Sequence, residues 1–259
     1  MKKKISLIIL SLIVLLLTIK STLAFYNTSS NHINTFKIED YVITIDGTGG
    51  TFKNENIKLV GSSTTLPTPY KKGYTFLGYS STSNGNVEYN NAIKNINDIN
   101  NKKIYAIWHT NTYSIVYNLN GGIISNAPQN YNVTQEFTLP TPSKRGYTFT
   151  GWSGTDINGL SKNVVISKGS IGDRSYTANW HLDTYSISYD LDGGSISNQP
   201  NSYNVNDTIT LPQPTKKGYT FTGWSGTDIN GILKDTTISN NVGNKKYKAN
   251  WSKNSYVVS

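Results

Sequence analysis

The string GYTFTGWSGTDING occupies residues 146–159 and returns letter for letter at residues 218–231. A weaker copy, GYTFLGYS, lies at residues 73–80, so the spacings are 73 and 72 residues. Other landmarks keep the period: Tyr41, Tyr113 and Tyr185 are 72 apart, and Trp108, Trp180 and Trp251 are 72 and 71 apart. All five tryptophans fall at two positions of the repeat, and Tyr79 fills the sixth slot. Self-similarity at a fixed period is the sequence signature of a repeat architecture. Three repeats follow, at residues 41–109 (divergent), 113–181 and 185–252. Units of about 70 residues can each hold a small core, whereas solenoid repeats of about 20–50 must stack to bury a face. The reading is three beads. The joints at 110–112 and 181–184 are short and not Gly/Ser-rich, so limited relative motion and a rod-like array are expected. Compact-domain scaling makes each bead roughly 25–30 Å across and the array about 80–100 Å long.

Within a repeat the pattern is β. Tyr113, Ile115, Tyr117 and Leu119 alternate with Ser114, Val116 and Asn118, and the third repeat does the same from Tyr185 to Leu191. A period of two is that of a half-buried strand. Asn120-Gly121-Gly122 and Asp192-Gly193-Gly194 follow, the strongest short turn chemistry. A second strand is expected over 131–139 and 203–211, ended by Pro140/Pro142 and Pro212/Pro214, where a ladder donor is lost. Residues 146–152 read as a third strand with a bulge at the glycine. The last strand places Tyr176, Ala178 and Trp180 inward and Thr177 and Asn179 outward. About 20 irregular polar residues separate strands three and four, and 92–99 could form a short helix. The fold class is mostly β, α+β at most.

Composition sets the frame. The 259 residues include no cysteine, 18 tyrosines and 32 asparagines, and only 15% are charged. That excludes a disulfide scaffold, a thiolate zinc site and a cysteine nucleophile. Aromatics at 12% set the chain apart from disordered sequences. Residues 1–24 read as a secretory signal: Lys2, Lys3 and Lys4 precede an apolar run over 5–19, and Thr22-Leu23-Ala24 offers a cleavage site. The run is shorter than the about 20 residues of a bilayer span, so a membrane anchor is expected only if the signal stays uncleaved. Residues 25–40 form a lead-in and 253–259 a tail. Removing Lys2, Lys3, Lys4 and Lys20 lowers the net charge from +9 to +5, which is no nucleic-acid footprint. A secreted or cell-envelope protein is expected.

Candidate chemistry is sparse. Asp190-Leu191-Asp192-Gly193 resembles the opening of a calcium loop, but no closing glutamate follows, and a turn accounts for it. His109 and His181 follow the closing tryptophans as linker residues, and His32 lies in the lead-in. Asp156 and Asp228 recur without a partner carboxylate in sequence, and no acid–base set appears. No catalytic residue, cofactor or metal is expected. The cation pairs Lys71-Lys72, Lys144-Arg145 and Lys216-Lys217 precede the GYTF strand in every repeat. They read either as solvated loop charges guarding an apolar strand or as a basic stripe for an anionic polymer. By simple alternation Trp152 and Trp224 fall opposite Phe149 and Phe221. With Tyr79 in the same slot, they join Lys144, Arg145, Lys216 and Lys217 as candidate partner-binding residues.

The combination Y-x-I-x-Y-D-L-D-G-G, L-P-x-P-x-K-x-G-Y-T-F-x-G-W and Y-x-A-x-W resembles the Listeria–Bacteroides repeat, the B-repeat of internalin B. The resemblance covers residues 41–251; the first repeat departs from it with Tyr79 for tryptophan and Ile45-Asp46-Gly47-Thr48-Gly49-Gly50 at the hairpin. It implies three tandem β-grasp (ubiquitin-like) beads with a helical or coiled crossover in a bacterial surface protein. It also implies extracellular spacing, adhesion and partner binding, with no catalytic residue to carry over. The chain shows no leucine-rich repeats, which accompany these beads in internalins, so an invasion-type receptor role does not follow. The expected function is a non-catalytic extracellular spacer or adhesion rod. The alternative is a carbohydrate- or cell-wall-polymer-binding module using exposed Trp/Tyr and the lysine pairs; an enzyme is a distant third. Expected partners are a wall polymer, a glycan or another surface protein.

Overall fold

The computed structural model describes residues 33–38, 41–52, 59–60, 63–90, 92–93 and 103–255. The expected signal at 1–24 and most of the lead-in lie outside them. Every regular element described is a strand. The first repeat and its lead-in carry β1 (Ile33–Ile38), β2 (Tyr41–Asp46), β3 (Leu59–Val60), β4 (Ser63–Thr65), β5 (Tyr74–Ser80), β6 (Ala92–Ile93) and β7 (Lys103–Thr110). The second carries β8 (Tyr113–Asn118), β9 (Asn130–Tyr131), β10 (Phe137–Thr138), β11 (Tyr147–Gly154), β12 (Val165–Ile166) and β13 (Arg174–Leu182). The third carries β14 (Tyr185–Asp190), β15 (Ser202–Tyr203), β16 (Thr208–Thr210), β17 (Tyr219–Gly226), β18 (Ile229–Leu233), β19 (Thr237–Ser239) and β20 (Lys245–Lys253).

One plan recurs. The first strand of each repeat pairs in parallel with the last, β2 with β7, β8 with β13 and β14 with β20. The GYTF strand pairs antiparallel on the other side of the last strand, giving orders β1-β2-β7-β5, β11-β13-β8-β9 and β15-β14-β20-β17-β18. Small separate sheets, β10–β12 and β16–β19, lie between. Alternation in the first strand works as its sequence dictates: Ile115 is 2% exposed and its neighbour Val116 60%. No helix forms a crossover in the second or third repeat, where all residues are described. Of the helix expected at 92–99, Ala92–Ile93 is strand β6 paired with β4; the rest lies outside the described residues.

The second strand is two strands. In place of one run over 131–139, β9 ends at Tyr131 and β10 starts at Phe137 in a different sheet. Asn132 breaks it: its Oδ1 accepts the Thr134 amide at 2.9 Å and hydroxyl at 2.7 Å, and its own amide donates to Gln135 Oε1 at 2.9 Å. Asn204 repeats this with the Asn206 amide at 2.9 Å and Asp207 Oδ2 at 2.8 Å. An asparagine side chain offers the backbone a local partner that competes with the ladder. Val133 and Val205 therefore sit on turns.

A bulge decides which face carries the tryptophans. In β11 the register runs Phe149↔Trp180, then Gly151↔Asn179 and Trp152↔Ala178, leaving Thr150 unpaired. One extra residue reverses the alternation. Gly151 sits at φ 145°, with the Ser161 backbone 3.0 Å from where a Cβ would stand. The same shift occurs between Phe76 and Gly78 and between Phe221 and Gly223.

By contacts the chain divides into two compact units. One takes the described residues up to Ser114 with 130–136 and 167–173; the other takes 115–129, 137–166 and 174 onward. In the first, Ile45, Leu66, Tyr79, Ile104 and Ala106 form a buried core. In the second, Ile187, Tyr203, Leu211, Phe221, Trp224 and Tyr247 form one core, and Ile115, Leu139, Phe149, Trp152, Ile166 and Tyr176 are also buried.

Candidate functional sites in the repeat

The closing tryptophan and the first lysine of each pair clasp the turn after the first strand. Asn120 and Gly121 have φ of 48° and 81°, the double-positive geometry of a type I′ turn. Trp180 Nε1 donates to Leu119 O at 3.0 Å, and Trp251 Nε1 to Leu191 O at 3.1 Å. The indole lies on Gly122, where a Cβ would stand 2.5 Å from Trp180 Cζ2. Lys144 Nζ donates to Asn120 O at 2.8 Å and stands 4.1 Å from the Tyr147 ring centroid. Lys71 does the same at Thr48 O (2.9 Å) over Tyr74 (4.2 Å), and Lys216 at Asp192 O (2.5 Å) over Tyr219 (4.5 Å). Desolvation lowers the Lys71 pKa below the ordinary lysine value. The aspartates of the calcium-like segment serve the same turn: Asp190 Oδ1 accepts the Asp192 amide at 3.1 Å, and Asp192 pairs with Lys216 at 3.3 Å.

The partner-binding candidates therefore divide. Trp152, Trp224 and Tyr79 are 0% exposed, which corrects the outward placement drawn from simple alternation; the bulge turned them into the core. They have no surface to offer. Trp152 packs edge-on against Phe149 at 5.4 Å and tilted against Tyr117 at 5.7 Å. Lys144 and Lys216 are spent on the clasp. Arg145 and Lys217 are exposed, and Arg145 donates to Asn240 O at 3.3 Å. Tyr70 and Tyr219 are the exposed aromatics among the described large hydrophobics, and they do not form a recurring strip.

Sequence reading missed two features. Asp156 and Asp228 face cations: Arg174 at 2.7 Å, and Lys245, whose ammonium also reaches Asn241 Oδ1 and Val242 O, each at 3.1 Å. Arg174 and Lys245 occupy equivalent positions 71 residues apart, a spacing that would have exposed the pairing. The Lys245 bond, with a smaller contribution from Asn241, holds the Asp228 carboxyl below the usual carboxylate range. His109 and His181 lie within β7 and β13, not in linkers.

The second feature is the joint, and it is the candidate contact site with the most internal repetition. Each last strand is followed by a residue that caps the GYTF turn: the amides of Asn111, Asp183 and Asn254 donate to Gly73 O, Gly146 O and Gly218 O, all at 3.0 Å. Their side-chain oxygens accept Thr75, Thr148 and Thr220 at 2.6, 2.6 and 2.7 Å. The next repeat then sets its turn valine on that glycine. A Cβ on Gly73 would stand 2.0 Å from Val133 Cγ1, and one on Gly146 2.5 Å from Val205 Cβ. The valines are 7% and 8% exposed, and Asn206 donates to the Tyr147 hydroxyl at 3.0 Å.

Two open depressions lie on the surface of the described residues. One of about 430 Å³ is lined by Thr48, Lys71, Tyr74, Gly85 and Trp108; the other, about 440 Å³, by Asp190, Ser225, Thr227, Lys246 and Lys248. Neither gathers an acid and a base on a shared reacting position. Among the described residues no group of three His, Asp or Glu could hold a metal, and no helix is long and apolar enough to cross a membrane.

These features define a class: an all-β tandem-repeat protein whose units share one strand order, one tryptophan–lysine clasp and one glycine–valine joint. The model of the Listeria-Bacteroides repeat domain matches residues 41–107, 113–171 and 185–252, and the chain belongs to that family. A protein of Evansella cellulosilytica named as a membrane protein is 28% identical over 86% of this chain and 33% of its own. A second from that organism, named as a Gly-rich membrane protein, is 24% identical over 86% of this chain and 26% of its own. Internalin H of Listeria monocytogenes is 31% identical over 56% of this chain and 26% of its own length. The chain thus spans between a quarter and a third of these relatives. No solved structure matches it at a significant level.

Proposed function

We propose that the chain is a non-catalytic repeat protein of the bacterial cell envelope or exterior, working as a spacer or adhesion rod built from β-grasp-like beads. The observation that carries this reading is internal consumption of the reactive-looking groups. The buried Trp/Tyr slot, the closing tryptophan and the first lysine of each pair all serve the repeat itself, and the joint recurs at each repeat boundary. The parallel pairing of first and last strands supports the bead assignment. Relatives named as membrane proteins and as an internalin support the location, as does the apolar run at 5–19. Fractionation with sequencing of the mature N-terminus tests it: material outside the cytosol beginning at Phe25 is expected, and cytosolic protein retaining Met1 would overturn it.

A second reading, binding of an anionic wall polymer or glycan, rests on the exposed Lys72, Arg145 and Lys217. Three isolated cations give a weak field. This reading requires salt-sensitive retention on wall polymer that falls in a variant with all three changed to Ser; retention equal to that of the parent contradicts it.

A further inference from the structure

The joint is built three times and occupied twice. Gly73 receives Val133, and Gly146 receives Val205. At the third site Asn254 already donates to Gly218 O at 3.0 Å and accepts Thr220 Oγ1 at 2.7 Å, the same cap as at Asn111 and Asp183. Yet nothing lies within 4 Å of a Cβ placed on Gly218. Gly73 and Gly146 are buried, whereas Gly218 is half-exposed and Tyr219 is 36% exposed. The ring of Tyr219 is held by Lys216, as Lys144 holds Tyr147, and the Tyr147 hydroxyl accepts from Asn206 of the following repeat.

We propose that the face formed by Lys217, Gly218, Tyr219 and Asn254 is a docking socket for a further repeat of this same kind, which enters through the valine of its Asn-Val turn. Continuity with the two filled joints argues for that occupant, because the socket repeats their glycine, tyrosine and capping threonine in place. The sequence beyond the cap agrees: Ser255-Tyr256-Val257-Val258 keeps the pattern of Thr112-Tyr113-Ser114-Ile115 and Thr184-Tyr185-Ser186-Ile187, which open the second and third repeats. A second copy of this chain does not supply the plug. Its Val133 and Val205 are already seated. The matching residue of its first repeat, Val60, six before Leu66, follows Leu59 and lies in strand β3, whereas Val133 and Val205 follow Asn132 and Asn204 and sit on turns. The socket therefore selects a repeat by its Asn-Val turn. This inference is independent of whether the array spaces or adheres.

The test extends the full chain after Ser255 with a second copy of residues 185–255 and follows methyl-labelled valines by NMR. Contacts from Val133 to Gly73 and from Val205 to Gly146 serve as internal references. The expected result is a third contact, from the added valine to Gly218, lost when that valine is changed to Asp. A parallel extension with residues 113–183 guards against a copy that fails to fold. A folded added repeat that makes no contact with Gly218 in either extension overturns the proposal. So does self-association of the unextended chain that protects Gly218.

Discussion

Trp152 shows how one side chain can be indispensable to a repeat and silent to its surroundings. It is 0% exposed, and its Nε1, like that of Trp224, has no hydrogen-bond partner. The first repeat solves the same position differently, since the Tyr79 hydroxyl donates to Pro67 O, and Pro140 stands at the matching place in the second. A buried hydrogen bond contributes about 1 kcal/mol, so Trp152→Tyr should be more stable than Trp152→Phe by about that much. Trp152→Ala should lose about 3–5 kcal/mol. Denaturant titration checks the order, and a Tyr variant no better than Phe contradicts it. Titration gives a second prediction. Burial pushes Tyr117, Tyr189 and Tyr247 up to about 12, so the folded state holds these protons where the unfolded chain releases them. Their stabilising effect is complete below the unfolded value near 10 and fades as pH rises towards 12. Thermal midpoints should fall across that window. Asp228 acts in the opposite direction: its lowered carboxyl stabilises above the unfolded carboxylate value and ceases to as pH falls through the folded one. Asp228→Asn should flatten part of the acid limb and also weaken the alkaline one, because the Asp228 charge helps to raise Tyr247.

At the scale of strands, the glycine of the GYTF element governs what alternation alone misreads. Gly151 supplies the φ of 145° at the bulge, and the bulge puts Trp152 on the same face as Phe149. Gly151→Ala adds a strained backbone and a Cβ against Ser161; about 1–3 kcal/mol should be lost, read as a shifted denaturation midpoint. Much of this level was legible beforehand. The first-strand alternation, the Asx-Gly turn, the bulge and the inward Tyr176 and Ala178 all appear where the residues indicated. What was not legible has physical causes. A bulge reverses parity downstream, so naming its site without following that reversal sends Trp152 to the wrong face. The break at Asn132 depends on a side chain competing with a ladder, which apolar periodicity over 131–139 cannot report. The first lysines looked like free charge because the carbonyl each meets lies 23 or 24 residues away.

For the whole chain, the joint matters more than any surface patch. Val133 and Val205 each lie in one repeat and are buried by the glycine of the repeat before. This is why residues 130–136 and 167–173 of the second repeat group with the first: Tyr131 and Val133 are tied to Gly172 and Gly169 by bonds of 2.7 and 2.8 Å. Val205→Asp should therefore open the joint at Gly146 while the tryptophan cores remain intact, visible as faster amide exchange around Gly146 with unchanged near-ultraviolet circular dichroism. The spacer reading adds that repeats are interchangeable in length and in joint chemistry. Deleting residues 113–184 joins Thr112 to Tyr185 and offers Val205 to Gly73. Small-angle scattering of the parent and this deletion is the most direct measurement of that claim. The account predicts a well-folded two-repeat protein whose maximum dimension is shorter by one bead, roughly 25–30 Å. An unchanged maximum dimension, or a deletion that unfolds, would contradict it.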